Sequence, residues 1–158
     1  MKKKIYEIAA CVLLMDQLAK YVIVAILSYG KEIFIFPKFL YLTHIKNTGG
    51  AWSIFNENPS ILLLVGIASL GILFYYLYKK NSFSKLEIAY LGIMIGGILG
   101  NFIDRIFRNG VIDYIGFILG KYYFPIFNIA DVAIVCGAFL LVIDNLRGDM
   151  YGNRSSKR

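Results

Sequence analysis

The sequence predicts an α-helical membrane protein with four transmembrane helices, a small extracytoplasmic β-sheet, and an interfacial segment between helices three and four. Two features of composition and one pattern predict this class. Hydrophobic residues form 58% of the 158-residue chain, whereas a soluble domain has about 45 to 50%. Charged residues supply only 17%. The apolar excess lies in four long runs, and a single core of this size could not shield it from water.

The four runs cover residues 5–27, 61–78, 86–103 and 127–143. Each is close to the roughly 17 to 25 residues that an α-helix needs to cross the hydrocarbon layer. We therefore expect one integral membrane domain over residues 1–158. Its outer segments are predicted at 28–60 and 104–126, and a disordered tail is predicted from about 147 to 158.

Lysine and arginine residues predict the orientation of the spans. They are dense in the short connections on one side and sparse in the two longer segments on the other. The dense side holds Lys2, Lys3, Lys4, Lys79, Lys80, Lys85, Arg147, Arg154, Lys157 and Arg158. By the positive-inside rule, both termini and the turn between the second and third spans face the cytoplasm. Segments 28–60 and 104–126 are then expected to face outward.

The first outer segment has a pattern typical of strands at residues 32–36 and 39–45, with Pro37 as a break between them. A further short strand is predicted at 51–55. Because unpaired backbone groups are not tolerated in hydrocarbon, we expect a small sheet at or above the outer interface. The second outer segment, at 111–124, is rich in aromatic and aliphatic side chains and is expected to lie among lipid headgroups.

Charge and composition also restrict the partners. The formal charge of +7 is scattered between the apolar runs, so we expect membrane lipid as a partner and no nucleic acid. The single histidine, His44, leaves a multi-histidine metal site without ligands, and neither a metal nor a cofactor is expected. Cys11 and Cys136 lie inside apolar runs, so neither is predicted to form an extracellular disulfide.

Two features within the spans are predicted to support packing. The third span has small residues at every fourth position, namely Gly92, Gly96 and Gly100. This spacing lets transmembrane helices approach closely, and the same face continues to Asp104. In the first span, Asp16 and Lys20 are four residues apart and are expected to form a structural ion pair on one helix face.

A second set of polar residues converges near the outer ends of the third and fourth spans. It comprises Asn47, Asn101, Asp104, Arg105, Asp113, Asn128 and Asp131. Asp104 has an adjacent charge partner in Arg105, whereas Asp113 and Asp131 have none in the local sequence. Carboxyl groups in an apolar setting either protonate or share a proton, and aspartic protease chemistry uses a shared proton. Asp113 and Asp131 are therefore the candidate catalytic pair.

Two other classes of function remain open on these residues alone. A small proton-coupled transporter also carries acids in its spans, although transport sites usually lie near the midplane of repeated halves. A non-enzymatic membrane scaffold would explain the glycines but not the unpaired acids. The single histidine excludes an HExxH motif and argues against a serine-histidine-aspartate triad, and His44 itself is interpreted as a strand residue.

Five ordered motifs resemble those of the type II, or lipoprotein, signal peptidases of bacteria. They are Asp16-Gln17-Leu18-Ala19-Lys20, Asn47-Thr48-Gly49-Gly50-Ala51-Trp52, Gly100-Asn101-Phe102-Ile103-Asp104-Arg105, Val111-Ile112-Asp113-Tyr114 and Phe124-Pro125-Ile126-Phe127-Asn128-Ile129-Ala130-Asp131. The resemblance covers about residues 16 to 134. The sequence departs from the family at Lys46 and Gly50, where the family often has Arg and usually has Ala.

The resemblance implies a multi-pass aspartyl endopeptidase of the bacterial cytoplasmic membrane, with an outer β-cradle and an active site near the outer face. It implies removal of signal peptides from diacylglyceryl-modified prolipoproteins, by cleavage before the lipidated cysteine, and inhibition by cyclic depsipeptides such as globomycin. It makes Asp113 and Asp131 the catalytic pair and Asp16 with Lys20 a supporting polar pair. Positions that shape the site or hold substrate would be Asn47, Gly49, Asn101, Arg105, Asn128 and Ala130.

Overall fold

The computed structural model describes residues 1–50 and 59–155. Its helices are α1 (Lys2–Ile26), α2 (Pro59–Lys79), α3 (Lys85–Arg108) and α4 (Ile129–Ser155). All four are long and apolar enough to cross a membrane, which confirms the prediction of four transmembrane helices. Helix α4 continues to Ser155, past the predicted span and into the segment for which the sequence predicts disorder. Hydropathy locates only the apolar stretch, whereas helical hydrogen bonding continues into the polar sequence that follows.

Four antiparallel strands form a single sheet in the order β1-β2-β3-β4. Their bounds are β1 (Glu32–Phe36), β2 (Leu40–Asn47), β3 (Val111–Leu119) and β4 (Tyr122–Tyr123). The first two strands confirm the prediction for the first outer segment, and the turn between them contains Pro37. The strand predicted at 51–55 lies outside the described residues.

Strands β3 and β4 are absent from the sequence-based prediction, which gives residues 111–124 only an interfacial location. Most of β3 is buried on both faces, so its residues form a nearly continuous apolar run instead of alternating. Periodicity therefore gives no strand signal there. Strand β3 joins the two outer segments into one sheet, because Asn47 at the end of β2 pairs with Val111 at the start of β3.

Helix α3 lies at the centre of the bundle and packs against the other three helices. The glycine face predicted from the sequence contacts α1. A Cβ atom added at Gly96 would lie 2.6 Å from the carbonyl oxygen of Ala9, which is closer than real Cβ contacts. On the neighbouring face, a Cβ atom at Gly97 would lie 2.6 Å from the carbonyl oxygen of Ala130 in α4. Glycine thus brings both neighbouring backbones against α3.

Both ends of α3 are capped. At its start, the Ser84 hydroxyl accepts a hydrogen bond from the Glu87 backbone N–H at 3.0 Å, and the Glu87 carboxylate accepts one from the Ser84 N–H at 2.8 Å. This reciprocal capping box satisfies two N–H groups that would otherwise lack partners. At its end, Asn109 adopts a left-handed conformation with φ of 54°. The chain therefore turns from α3 into β3 within two residues, which places the start of β3 beside the last turn of α3.

Candidate active site

Asp113 lies on β3 and is almost fully buried, with 2% of its surface exposed. Both of its carboxylate oxygens accept hydrogen bonds from asparagine side chains. Asn47 Nδ2, at the end of β2, donates to Oδ2 at 2.9 Å, and Asn128 Nδ2 donates to Oδ1 at 2.6 Å. The pairing of β2 with β3 brings Asn47 to this position, because Asn47 pairs with Val111, which lies two residues before Asp113.

Asp131 lies in the first turn of α4. Its Oδ2 accepts a hydrogen bond from the backbone N–H of Asn128 at 3.2 Å, and the Asn128 side-chain oxygen accepts one from the Asp131 N–H at 3.0 Å. The same two residues therefore form the N-terminal cap of α4. Asn101 Nδ2 of α3 donates to the other oxygen of Asp131 at 2.7 Å.

Asn128 connects the two acids. Its side chain donates to Asp113 and accepts from the backbone of Asp131, and it also donates to Asn101 Oδ1 at 3.2 Å. The structure thus brings together, in one hydrogen-bonded network, the polar residues that the sequence singled out on four separate segments. Each carboxyl group receives its hydrogen bonds from amide donors.

A cavity of about 470 Å³ opens beside these acids. Its polar lining includes Asp113, Asp131, Arg105 and Asn47, together with the backbone of Gly49. The rest of its wall is mostly apolar and comes from the start of β3, the segment before α4 and α4 itself. The apolar lining residues include Val111, Phe124, Pro125, Phe127, Val132 and Val135. The cavity therefore places two carboxyl groups beside an apolar surface.

Burial, and after it the negative charge of Asp131, raise the pKa of Asp113 from its ordinary value of 3.8 to about 6. Hydrogen bonds from Asn47 and Asn128, and the positive charge of Lys20, oppose the rise. Desolvation is the largest cause because the carboxyl group has almost no contact with solvent. Asp113 thus titrates close to neutral pH, which suits a group that gives and takes a proton.

An ion cluster lies between α1 and α3, and its residues Asp16, Lys20 and Asp104 are fully buried. Lys20 Nζ is 2.8 Å from Asp16 Oδ2 and 2.8 Å from Asp104 Oδ2. Asp104 also pairs with Arg108. The predicted contact between Asp16 and Lys20 is present. The expectation that Arg105 pairs with Asp104 is wrong, because adjacent residues of a helix point in different directions whereas residues four apart share a face.

The ion cluster also contacts the start of α4. Asp16 Oδ1 accepts a hydrogen bond from the backbone N–H of Ala130 at 2.9 Å, which satisfies one of the free N–H groups of that helix end. Ala130 is fully buried, and a Cβ atom added at Gly100 would lie 3.3 Å from its Cβ. The small side chain of Ala130 therefore permits close contact between α3 and α4 at this point.

Two polar residues of the network were missed in the sequence. Gln17 Nε2 donates to Asp104 Oδ1 at 3.1 Å and to the Gly100 carbonyl oxygen at 3.1 Å, and Gln17 Oε1 accepts from Arg108 at 3.2 Å. The spacing of Arg108, four residues after Asp104, was a signal for its pairing. Gln17 had no comparable signal beyond being a polar residue in a span.

Two further expectations from the sequence concern His44 and metal binding. His44 Nδ1 is 2.9 Å from the Leu27 carbonyl oxygen, at the end of α1, and its ring contacts Tyr29 edge to face. It is a strand residue in β2, as interpreted from the sequence. In the part of the chain that is described, no cluster of three or more His, Cys, Asp or Glu side chains is arranged to hold a metal ion.

Four apolar helices, with two acids lining a mostly apolar cavity where the bundle meets the sheet, define a multi-pass membrane protein. Residues 8–147 match the family model described as signal peptidase (SPase) II. The chain therefore belongs to the signal peptidase II family, which is a family of proteases. This membership favours the peptidase hypothesis over the transporter and the scaffold.

Individual relatives agree with the family match. The lipoprotein signal peptidase of Listeria monocytogenes serotype 4a (strain HCC23) is 38% identical over 138 residues, which are 87% of this chain and 90% of the relative. That of Bacillus pumilus (strain SAFR-032) is 38% identical over 141 residues, with 89% and 91% covered. A solved structure described as a bacterial membrane enzyme has a TM-score of 0.85 at 32% identity, covering 94% of this chain and 90% of that one. A second such structure has a TM-score of 0.81 at 33% identity, covering 92% and 94%.

Proposed function

We propose that this protein is an intramembrane aspartyl endopeptidase in which Asp113 and Asp131 are the catalytic pair. Its substrates are diacylglyceryl-modified prolipoproteins, which it cleaves just before the lipidated cysteine. One observation carries the proposal: two acids from different elements are held by the same asparagine, Asn128, beside a cavity with an apolar wall. In this proposal the two carboxyl groups share one proton and activate one water, as in aspartic proteases.

The two acids take different roles at the start of the reaction. Asp131 is ionised, because it lies in the first turn of α4, where the helix dipole favours a negative charge. Asp113 is the partner that carries the shared proton, because its pKa of about 6 makes protonation easier than in an ordinary aspartate. Asp131 accepts a proton from a water whose oxygen attacks the scissile carbonyl carbon, while Asp113 hydrogen-bonds the carbonyl oxygen. A proton is then delivered to the amide nitrogen, and the carbon–nitrogen bond breaks.

The remaining cavity residues bind the substrate. Arg105, which donates to the Asn101 carbonyl oxygen at 3.3 Å, offers further N–H donors to the substrate backbone. The apolar wall along α4 accommodates the acyl chains, whose burial contributes about 0.8 kcal/mol per CH₂ group. Anchoring the lipid in this way holds the scissile bond beside the acids. Cyclic depsipeptides such as globomycin inhibit the enzyme by competing for the same cavity.

The proposed location is the bacterial cytoplasmic membrane, with both termini in the cytoplasm and the acids near the outer face. The distribution of lysine and arginine supports this orientation. Precursors whose lipidated cysteine emerges at the outer face would then meet the cavity directly from the bilayer.

The test compares cleavage of a diacylglyceryl-modified prolipoprotein by purified protein in detergent, followed as a shift in electrophoretic mobility. The variants Asp113→Asn and Asp131→Asn keep the size of each side chain but remove its acid. Each variant is expected to lose at least about 10³-fold in kcat, because the one acid that it retains cannot carry out both proton transfers. Wild-type cleavage is expected to be sensitive to globomycin, and an unlipidated precursor is expected to remain intact.

Asp144→Asn is the matched control. Asp144 also lies on α4, but its carboxylate accepts from the Tyr90 hydroxyl at 3.4 Å, away from the cavity. This variant should cleave at the wild-type rate. Substantial cleavage by either Asp113→Asn or Asp131→Asn, with thermal unfolding midpoints near that of the wild type, would overturn the assignment of the pair.

A further inference from the structure

We propose that Lys20 is a positioning residue for the catalytic pair, acting through the amide of Asn101. Lys20 fixes the direction of that amide, so that its nitrogen points at Asp131. The inference rests on the proposed function and adds a residue that contacts neither the substrate nor the proposed catalytic acids, Asp113 and Asp131.

The first step concerns the three hydrogen bonds of Lys20. Its side chain is fully buried, and its ammonium group has three N–H donors. Two of them bind Asp16 and Asp104 at 2.8 Å each, and the third binds Asn101 Oδ1 at 3.0 Å. Because three acceptors match its three donors, the ammonium group is held in one position. The hydrogen bond to Asn101 links the ion cluster to the proposed active site.

The second step concerns the direction of the Asn101 amide. An ammonium group donates hydrogen bonds and accepts none, so only the amide oxygen of Asn101 fits beside Lys20. The amide nitrogen then points the other way and donates to Asp131 Oδ1 at 2.7 Å. A reversed amide would place its NH₂ group against Lys20 and its oxygen against Asp131. Both contacts would be repulsive, so Lys20 prevents the reversal.

The third step compares the three asparagines of the site. In Asn47 and Asn128 the amide oxygen accepts from a backbone N–H, that of Gly49 and that of Asp131, at 3.0 Å each. In Asn101 the oxygen accepts from side chains instead, Lys20 at 3.0 Å and Asn128 at 3.2 Å. Of these two donors, Lys20 is charged and Asn128 is neutral, and a charged donor forms a stronger hydrogen bond than a neutral one. The orientation of Asn101 therefore depends on a side chain that substitution can remove.

The experiment must separate this role from the ion pairing of the cluster. Lys20→Met alone would leave two buried carboxylates facing one arginine. The double variant Asp16→Asn/Lys20→Met keeps the cluster balanced, with Asp104 and Arg108 paired, and Asn at position 16 still has an oxygen for the Ala130 N–H. The matched control is Asp16→Asn, which keeps the bond from Lys20 to Asn101.

With the lipidated precursor as substrate, Asp16→Asn is expected to keep kcat within about threefold of the wild type and to lower the thermal midpoint. The double variant is expected to unfold at a midpoint similar to that control, but to lose about tenfold or more in kcat with KM changed less than threefold. Loosening the geometry of a catalytic group lowers kcat in this manner. In an Asn101→Ala background, adding the double substitution should reduce kcat no further.

Two results would overturn the inference: a double variant with the kcat of Asp16→Asn, or an equal loss of kcat when Asn101 is already alanine. If the double variant does not fold, Asp104→Asn/Lys20→Met is the second charge-balanced variant, and failure of both to fold assigns Lys20 to the fold alone and also overturns the inference. Failure of the proposed function has a different signature, because the wild type would then not cleave the lipidated precursor or would not need Asp113 and Asp131.

Discussion

At Asp113, two opposing influences act on one carboxyl group. Burial and the negative charge of Asp131 favour its protonated form, while amide donors from Asn47 and Asn128 favour the ionised form. Burial is the larger influence, so the pKa rises to about 6. The protonated and ionised forms of Asp113 are therefore both populated within about one pH unit of that value.

The raised pKa of Asp113 predicts a pH dependence of stability. The folded protein binds the proton more tightly than the unfolded chain, so the stabilisation is fully present below pH 3.8 and is lost as the pH rises through about 6. A rise of about two units corresponds to on the order of 3 kcal/mol. We expect the thermal midpoint of the wild type, relative to Asp113→Ala, to fall between about pH 4 and pH 7. A difference that stays constant or grows with pH would contradict this.

Much of the site could be predicted from single residues, and the exceptions have physical causes. Asp113 and Asp131 stood out because no charge partner lies near them in sequence. The partner of Asp104 was assigned wrongly to its neighbour Arg105, since helical geometry pairs it with Arg108. Gln17 was missed because its partners lie on another helix, more than 80 residues away in sequence.

At the scale of elements, the first turn of α4 is both a helix cap and part of the candidate active site. Asn128 and Asp131 bind each other's backbone N–H groups, and the same side chains contact Asp113 and Asn101. Their spacing of three residues is visible in the sequence and predicts a common helical face. The pairing of β2 with β3 is not visible there, because two helices separate the strands along the chain and β3 does not alternate.

The glycine face of α3 predicts a difference between two similar substitutions. Gly96→Ala places a methyl group against the Ala9 backbone, which cannot move aside without separating α1 from α3. We expect a loss of about 1 to 3 kcal/mol in stability, measured as a lower thermal midpoint in detergent. Gly71→Ala on α2 is the control, since its Cβ would have no neighbour within 4 Å, and its midpoint should be unchanged or higher. Equal effects of the two substitutions would show that close backbone approach does not matter here.

For the whole molecule, the sheet determines which end of the bundle holds the site. Strands β2 and β3 come from different outer segments, and their pairing places Asn47 beside the start of β3 and the end of α3. The turn between α2 and α3 lies at the start of α3, at the opposite end of that helix from the site. The orientation of the bundle in the membrane therefore decides which compartment the acids face.

That orientation predicts a labelling pattern. After Cys11 and Cys136 are replaced by alanine, Lys121→Cys places a thiol in the exposed turn between β3 and β4, and Ser82→Cys places one in the exposed turn after α2. A membrane-impermeant maleimide should label the first in intact spheroplasts and the second only after permeabilisation. The reverse pattern would put the acids on the cytoplasmic side.

The spacing of charges in the buried cluster has a consequence for how the protein enters its membrane. Asp16 and Lys20 both belong to α1, and Asp104 and Arg108 both belong to α3, each pair four residues apart. In each newly made helix, the acid of the cluster thus has a cation four residues away that can accompany it into the bilayer. Lys20 gains Asp104 only when α1 and α3 meet, and both pairs within the helices are kept, so assembly joins two existing ion pairs into one network.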